Sequence, residues 1–117
     1  YEDIVFILAL KRENIYIKHT ENAAYHLNLE KSAVFLTKFH SSLENLKIVL
    51  DKNIIHPEDT ALTNIYCKLK RLHLLKFAAF IFRIVKIRFT KNLLSKNPSL
   101  FIFDVYRLGY FCQLNSR

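Results

Sequence analysis

The first apolar block of this chain, Ile4 through Leu10, is followed by the polar Lys11-Arg12-Glu13-Asn14 and then by Ile15-Tyr16-Ile17. Short, β-branched apolar runs around a four-residue polar connection predict a strand hairpin. A first helix is the competing reading, because so short a run displays no period.

Over residues 21–52 the period is helical. Tyr25, Ser32, Phe39 and Leu46 fall seven apart, as do Leu29, Leu36, Leu43 and Leu50, and the alternating steps of four and three place all eight on one stripe. Thr20 is the expected N-cap. The stripe fits an internal core; the alternative is a partner helix seated on Leu29, Leu36, Leu43 and Leu50. His56-Pro57-Glu58-Asp59 then opens a second helix, with proline preorganised for its first turn and two acids at the positive end of its dipole. This helix is expected to span residues 57–91, with Leu62, Ile65, Leu69, Leu72, Phe80, Ile84 and Ile87 on one side; Val85 through Phe89 also alternates like a strand. Asn97-Pro98 breaks it. The apolar segment beyond reads as a short helix ended by Gly109 or as a second hairpin.

The expected fold class is therefore mainly α, with α+β as the alternative. Two long antiparallel helices form the body, with an N-terminal hairpin or helix and a C-terminal apolar segment closing the core. Residues 1–117 are expected to form a single compact domain. The chain begins at Tyr1 and has no Met, as a processed product or a fragment would.

One glycine in 117 residues argues against phosphate-cradling and dinucleotide loops, which need several. Cys67 and Cys112 show no metal spacing and read as two buried thiols, with a single disulfide as the alternative. His19, His26, His40, His56 and His73 are scattered, so neither a metal nor a cofactor is expected. Glu58 and Asp59 project about 100° apart on a helix, which favours a structural use over a catalytic pair. No segment is apolar enough for a membrane span.

Charge is distributed unevenly. The first sixty residues hold 7 basic and 9 acidic residues, the rest 11 basic and 1 acidic, which sums to the net +8 of the chain. Between Thr60 and Phe103 nine Lys or Arg occur with no acid. Lys68, Arg71, Lys76, Arg83, Lys86, Arg88 and Lys91 are the candidate nucleic-acid-binding residues, because phosphate contacts call for cations spread along a surface. Glu30, Glu44 and Asp51 are the acids placed to neutralise part of that block.

Phe6-Ile7-Leu8 followed by Tyr16-Ile17-Lys18-His19-Thr20 resembles the start of GIY-YIG nucleases over about twenty residues. That resemblance implies a strand, turn, strand, helix order in a nuclease fold. The family's glycines are replaced by Ile4 and Lys18, and no arginine stands at Tyr25 or His26, so the likeness would imply a fold without the activity and is not adopted. The expected function is a small non-enzymatic subunit of an RNA–protein assembly that holds phosphate backbone, RNA rather than DNA, with its basic C-terminal half. The alternatives are a helical protein-interaction module and a peripheral protein whose residues 77–89 lie on an anionic membrane surface.

Overall fold

A computed structural model describes residues 2–18, 20–21 and 31–116. The helices are α1 (Glu2–Arg12), α2 (Ser32–Asp51), α3 (Ala61–Arg71), α4 (Leu75–Leu93) and α5 (Leu100–Asn115), with a 3-10 turn at Pro57–Asp59. The mainly α expectation holds; among the described residues there is no strand, so the α+β alternative falls.

The N-terminal hairpin is replaced by α1. Val5 and Leu8, one helical turn apart, pack on the core while Phe6 and Ile7 remain exposed, a spacing that only a helix satisfies. The uninterrupted apolar run had hidden that period. With α1 helical, the strand order implied by the nuclease resemblance is absent. Helix α1 is tied to the body by Arg12, whose guanidinium donates to the Ile54 carbonyl at 3.0 Å and pairs with Asp59 at 3.6 Å.

Three helices end in the same way. Asn14 (φ 53°), Asn53 (φ 53°) and His73 (φ 58°) adopt the left-handed conformation after α1, α2 and α3. The next residue's N–H then reaches back five positions: Ile15 to Leu10, Ile54 to Val49 and Leu74 to Leu69, at 2.9 to 3.0 Å. This is the Schellman closure that usually takes glycine. In a chain with one glycine, asparagine and histidine fill the role.

His73 overturns the single helix expected over residues 57–91. Leu72-His73-Leu74 contains neither Gly nor Pro, so nothing in the sequence marked the break. The segment divides into the 3-10 turn, α3 and α4. At its start the His56 N–H donates to the Asp59 carboxylate at 2.7 Å, and Thr60 caps α3 by accepting from the Thr63 N–H at 3.1 Å. The buried Thr63 hydroxyl donates to the Pro57 carbonyl at 2.7 Å. Residues 85–89 continue the helix rather than forming a strand.

In α2, Leu36, Leu43 and Leu46 are buried and Phe39 and Leu50 partly so. Apart from the exposed Ser32, the described stripe faces the chain's own core, and Leu36 and Leu43 are thereby unavailable to a partner helix. Lys31, in extended backbone, precedes the first turn; Thr20 is non-helical and does not cap it. Tyr25, Leu29 and Glu30 lie outside the described residues.

The C-terminal segment is α5, which runs back along α4 in the most extensive helix contact among the described residues. The Asn92 side chain accepts the Ser99 N–H at 3.0 Å, and the Ser99 hydroxyl in turn accepts from Ile102 at 3.4 Å. Gly109 does not end this helix. It lies inside α5, directly against Phe82 of α4, where a Cβ would stand 2.4 Å from Phe82 Cδ2. One group of buried residues (Leu43, Leu46, Ile55, Leu62, Tyr66, Phe111, Cys112) joins α2, α3 and α5. A second (Leu36, Phe82, Leu93, Tyr106) joins α2, α4 and α5, and Tyr110 packs on both.

The result is a plate of 44 × 39 × 19 Å, roughly two helix diameters thick. Its accessible surface is 9415 Å², whereas a compact monomer of 13.9 kDa exposes about 6,700 Å² by the usual mass scaling.

Candidate anion-binding surface

The basic block does not form one face. Lys68 and Arg71, with Lys70, occupy the last turn of α3, where they also complement the negative end of the helix dipole. The break at His73 separates them from α4, which carries Lys76, Arg83, Lys86, Arg88 and Lys91 and no acid at all. Among the described residues, none of these eight cations pairs with a carboxylate. Glu44 and Asp51, the expected neutralising partners, are not engaged with them.

Lys86 stands apart from the other cations of α4. It turns toward α5, with Nζ 5.5 Å from the centre of the Tyr110 ring, a cation–π distance. His40 of α2 stacks on that ring, with centroids 4.2 Å apart and planes 11° apart, and its Nε2 lies 2.9 Å from the Tyr106 hydroxyl. Burial first, and the Lys86 charge second, hold the His40 pKa below its ordinary value against an opposing pull from Glu44. Burial likewise pushes the Tyr106 phenol up, opposed by its hydrogen bond with Thr90. Lys86 is therefore a packing cation between α2, α4 and α5.

The apolar side expected of α4 is inverted. Phe80, Ile84 and Ile87, grouped by their spacing with Leu62 and Leu69 of the core, are exposed, as are Ile65 and Leu72 of the same expected side. The face turned inward holds Ala79, Phe82 and Leu93, with Leu75, Ala78 and Phe89 partly buried. Helix α4 is apolar on nearly all sides, and the turn at His73 resets its phase relative to α3, so spacing did not select the buried side.

What remains outside is a coherent surface. Phe77, Phe80, Ile81, Ile84 and Ile87 are 62, 60, 42, 64 and 69% exposed. At 100° per residue they fall within about 120° of the helix circumference, with Arg88 and Lys91 among them, and Lys76 and Arg83 lie roughly 20–40° beyond one edge. That edge borders a groove. Two open depressions of about 430 and 490 Å³ share Lys76 and Ser116; the first is also lined by Lys70, His73, Leu75 and Asn115, the second by Ala79, Phe80, Arg83 and Gln113. Of these residues the basic block of the sequence contains Lys70, Lys76 and Arg83.

Both cysteines are free thiols. Cys67 is half-buried, and Cys112 is fully buried, which pushes its pKa up to about 11. Among the described residues no cluster of metal-ligating side chains occurs, and no helix is long and apolar enough to cross a membrane. Compared with known proteins, the chain matches no family model, no curated sequence and no solved structure, so the geometry of this surface carries the functional reading.

Proposed function

We propose that this chain is a non-catalytic module that lies on anionic membrane surfaces through the outer face of α4. The observation that carries the reading is the exposed set Phe77, Phe80, Ile81, Ile84 and Ile87, interleaved with Arg88 and Lys91 and edged by Lys76 and Arg83. A helix with apolar and cationic residues on one accessible side adsorbs at the headgroup boundary, where the apolar groups enter the acyl region and the cations meet anionic lipid.

The same cations would suit RNA phosphate, the partner expected from charge alone. The aliphatic residues favour lipid. Phe77 and Phe80 could stack on bases, but Ile81, Ile84 and Ile87 offer no ring to stack and gain most from hydrocarbon. The plate shape supports the same reading, because a thin body keeps one side of a helix accessible along its length.

Each isoleucine at about two-thirds exposure carries roughly 1–1.5 kcal/mol of transferable apolar free energy, and each cation near an anionic surface about 1 kcal/mol. Sedimentation with vesicles containing phosphatidylserine, against pure phosphatidylcholine, tests the reading. Binding should require the anionic lipid, weaken with salt, and fall roughly 30–100-fold in Ile84→Asn/Ile87→Asn, with helical content unchanged by circular dichroism. No vesicle binding by folded protein, alongside salt-dependent RNA binding lost on Arg83→Glu and Arg88→Glu, would return the partner to RNA.

A further inference from the structure

We infer that the groove between the α3–α4 turn, the edge of α4 and the end of α5 is a phosphate-recognition site for the phosphomonoester groups of a polyphosphorylated headgroup. For a lipid headgroup, the inference rests on the docking reading above. Lys70, Lys76 and Arg83 line the groove, joined by His73, Gln113 and Asn115.

Among the described residues no acid lines either depression, and the three cations have no carboxylate partner. Their charge is also not spent on the negative end of α5. The Leu114 carbonyl accepts from Lys47 Nζ at 3.1 Å, the Phe111 carbonyl from the Asn115 amide at 2.8 Å, and the Gln113 carbonyl from the Ser116 N–H at 3.4 Å. The combined space falls in the range of sites that hold a small ligand.

Ligand class follows from the donor set. A phosphomonoester presents only acceptors and carries about −1.5 to −2 charges near neutral pH, matching Lys and Arg donors. A phosphatidylserine headgroup also brings an ammonium, for which this lining offers no carboxylate. Placement agrees with the α4 face: Phe80 belongs both to the exposed apolar set and to the groove wall. A headgroup seated between Lys76 and Arg83 would stand beside the acyl boundary that α4 enters.

The test separates the site from its lipid source. Soluble inositol 1,4,5-trisphosphate and citrate, a trianion without phosphate, are titrated while the side-chain amide resonances of Gln113 and Asn115 and the His73 ring are followed. The trisphosphate should bind at least tenfold tighter than citrate and move those three signals. Lys70→Gln/Lys76→Gln should lose that preference, and Lys52→Gln, outside both the groove and the α4 face, should keep it. Vesicles carrying phosphatidylinositol bisphosphate should outcompete phosphatidylserine vesicles of matched charge, with the advantage lost in the same double variant. Equal binding of citrate and trisphosphate, or indifference to Lys70→Gln/Lys76→Gln, overturns the site even if phosphatidylserine vesicles still bind through α4. Groove-dependent trisphosphate binding without vesicle binding keeps the site, assigns it to a soluble phosphate, and removes the membrane reading.

Discussion

Replacing Gly109 with alanine sets two effects against each other. In a helix interior the change normally stabilises by about 0.5–1 kcal/mol, because glycine loses more backbone freedom on folding. Here the added Cβ would lie 2.4, 2.6 and 2.9 Å from Cδ2, Cγ and Cβ of Phe82. The third contact decides the outcome. Rotating the ring moves Cδ2 but leaves the Phe82 Cβ in place, so relief requires α4 and α5 to separate. Phe82 is 2% exposed and meets Tyr106 edge-on with centroids 5.1 Å apart, which leaves it no empty neighbour to enter. Overpacking of this kind costs about 1–3 kcal/mol and at times more; contacts this short belong at the upper end. After the helix gain is subtracted, Gly109→Ala should be destabilised by roughly 1–2 kcal/mol. Urea unfolding followed at 222 nm should show a lower midpoint at unchanged slope. Combining Gly109→Ala with Phe82→Ala, which deletes the two ring contacts, should cost at least about 1 kcal/mol less than the sum of the single changes. A single variant as stable as the parent, or more so, would refute the close-contact reasoning.

Two further outcomes follow from the buried titratable groups. The native environment of His40, formed by Lys86, Glu44, Tyr106 and Tyr110, lowers its pKa. The unfolded chain therefore takes up this proton first as pH falls: the His40 contribution is fully present above about pH 6.5, and is lost as pH drops from there through the lower folded value. The urea midpoint of the parent should decline across that window more than that of His40→Asn, and parallel profiles would exclude His40 as the source. Cys112, with its thiol pushed up to about 11 by burial, should resist a thiol-exchange reagent at pH 8 in the native state and react only on unfolding. Fast labelling of both cysteines in the folded protein would contradict its placement in the core.

The sequence was most informative where one side of a helix is apolar and the other polar. Helix α2 comes nearest to that condition through its seven-residue leucine spacing, and Leu36, Leu43 and Leu46 were located from spacing alone, although Val34, Phe35 and Ile48 stay exposed on its other sides. It failed in α1 and α4 for a shared reason: both carry apolar residues nearly all round, and a pattern without contrast selects neither element type nor buried side. The break after α3 was invisible because His73 adopts a backbone conformation that glycine or asparagine usually marks. The basic block was legible as charge, since it depends only on counting, but its division among an α3 terminus, a groove edge, an outer face and one inward lysine depends on tertiary packing. Gln113 and Asn115 reach the groove from the far end of the chain, a juxtaposition that no local pattern encodes.

The left-handed turn at His73 places one residue under two demands. Glycine would relax the φ of 58° and remove the ring from the groove wall, so chain stability and phosphate affinity would move in opposite directions. Asn14 and Asn53 close their helices by the same hydrogen-bond pattern without lining the groove, and glycine there would alter the backbone term alone. The three turns thus form an internal control, in which the divergence at position 73 measures how far a binding requirement, rather than helix termination, accounts for an imidazole where glycine fits best.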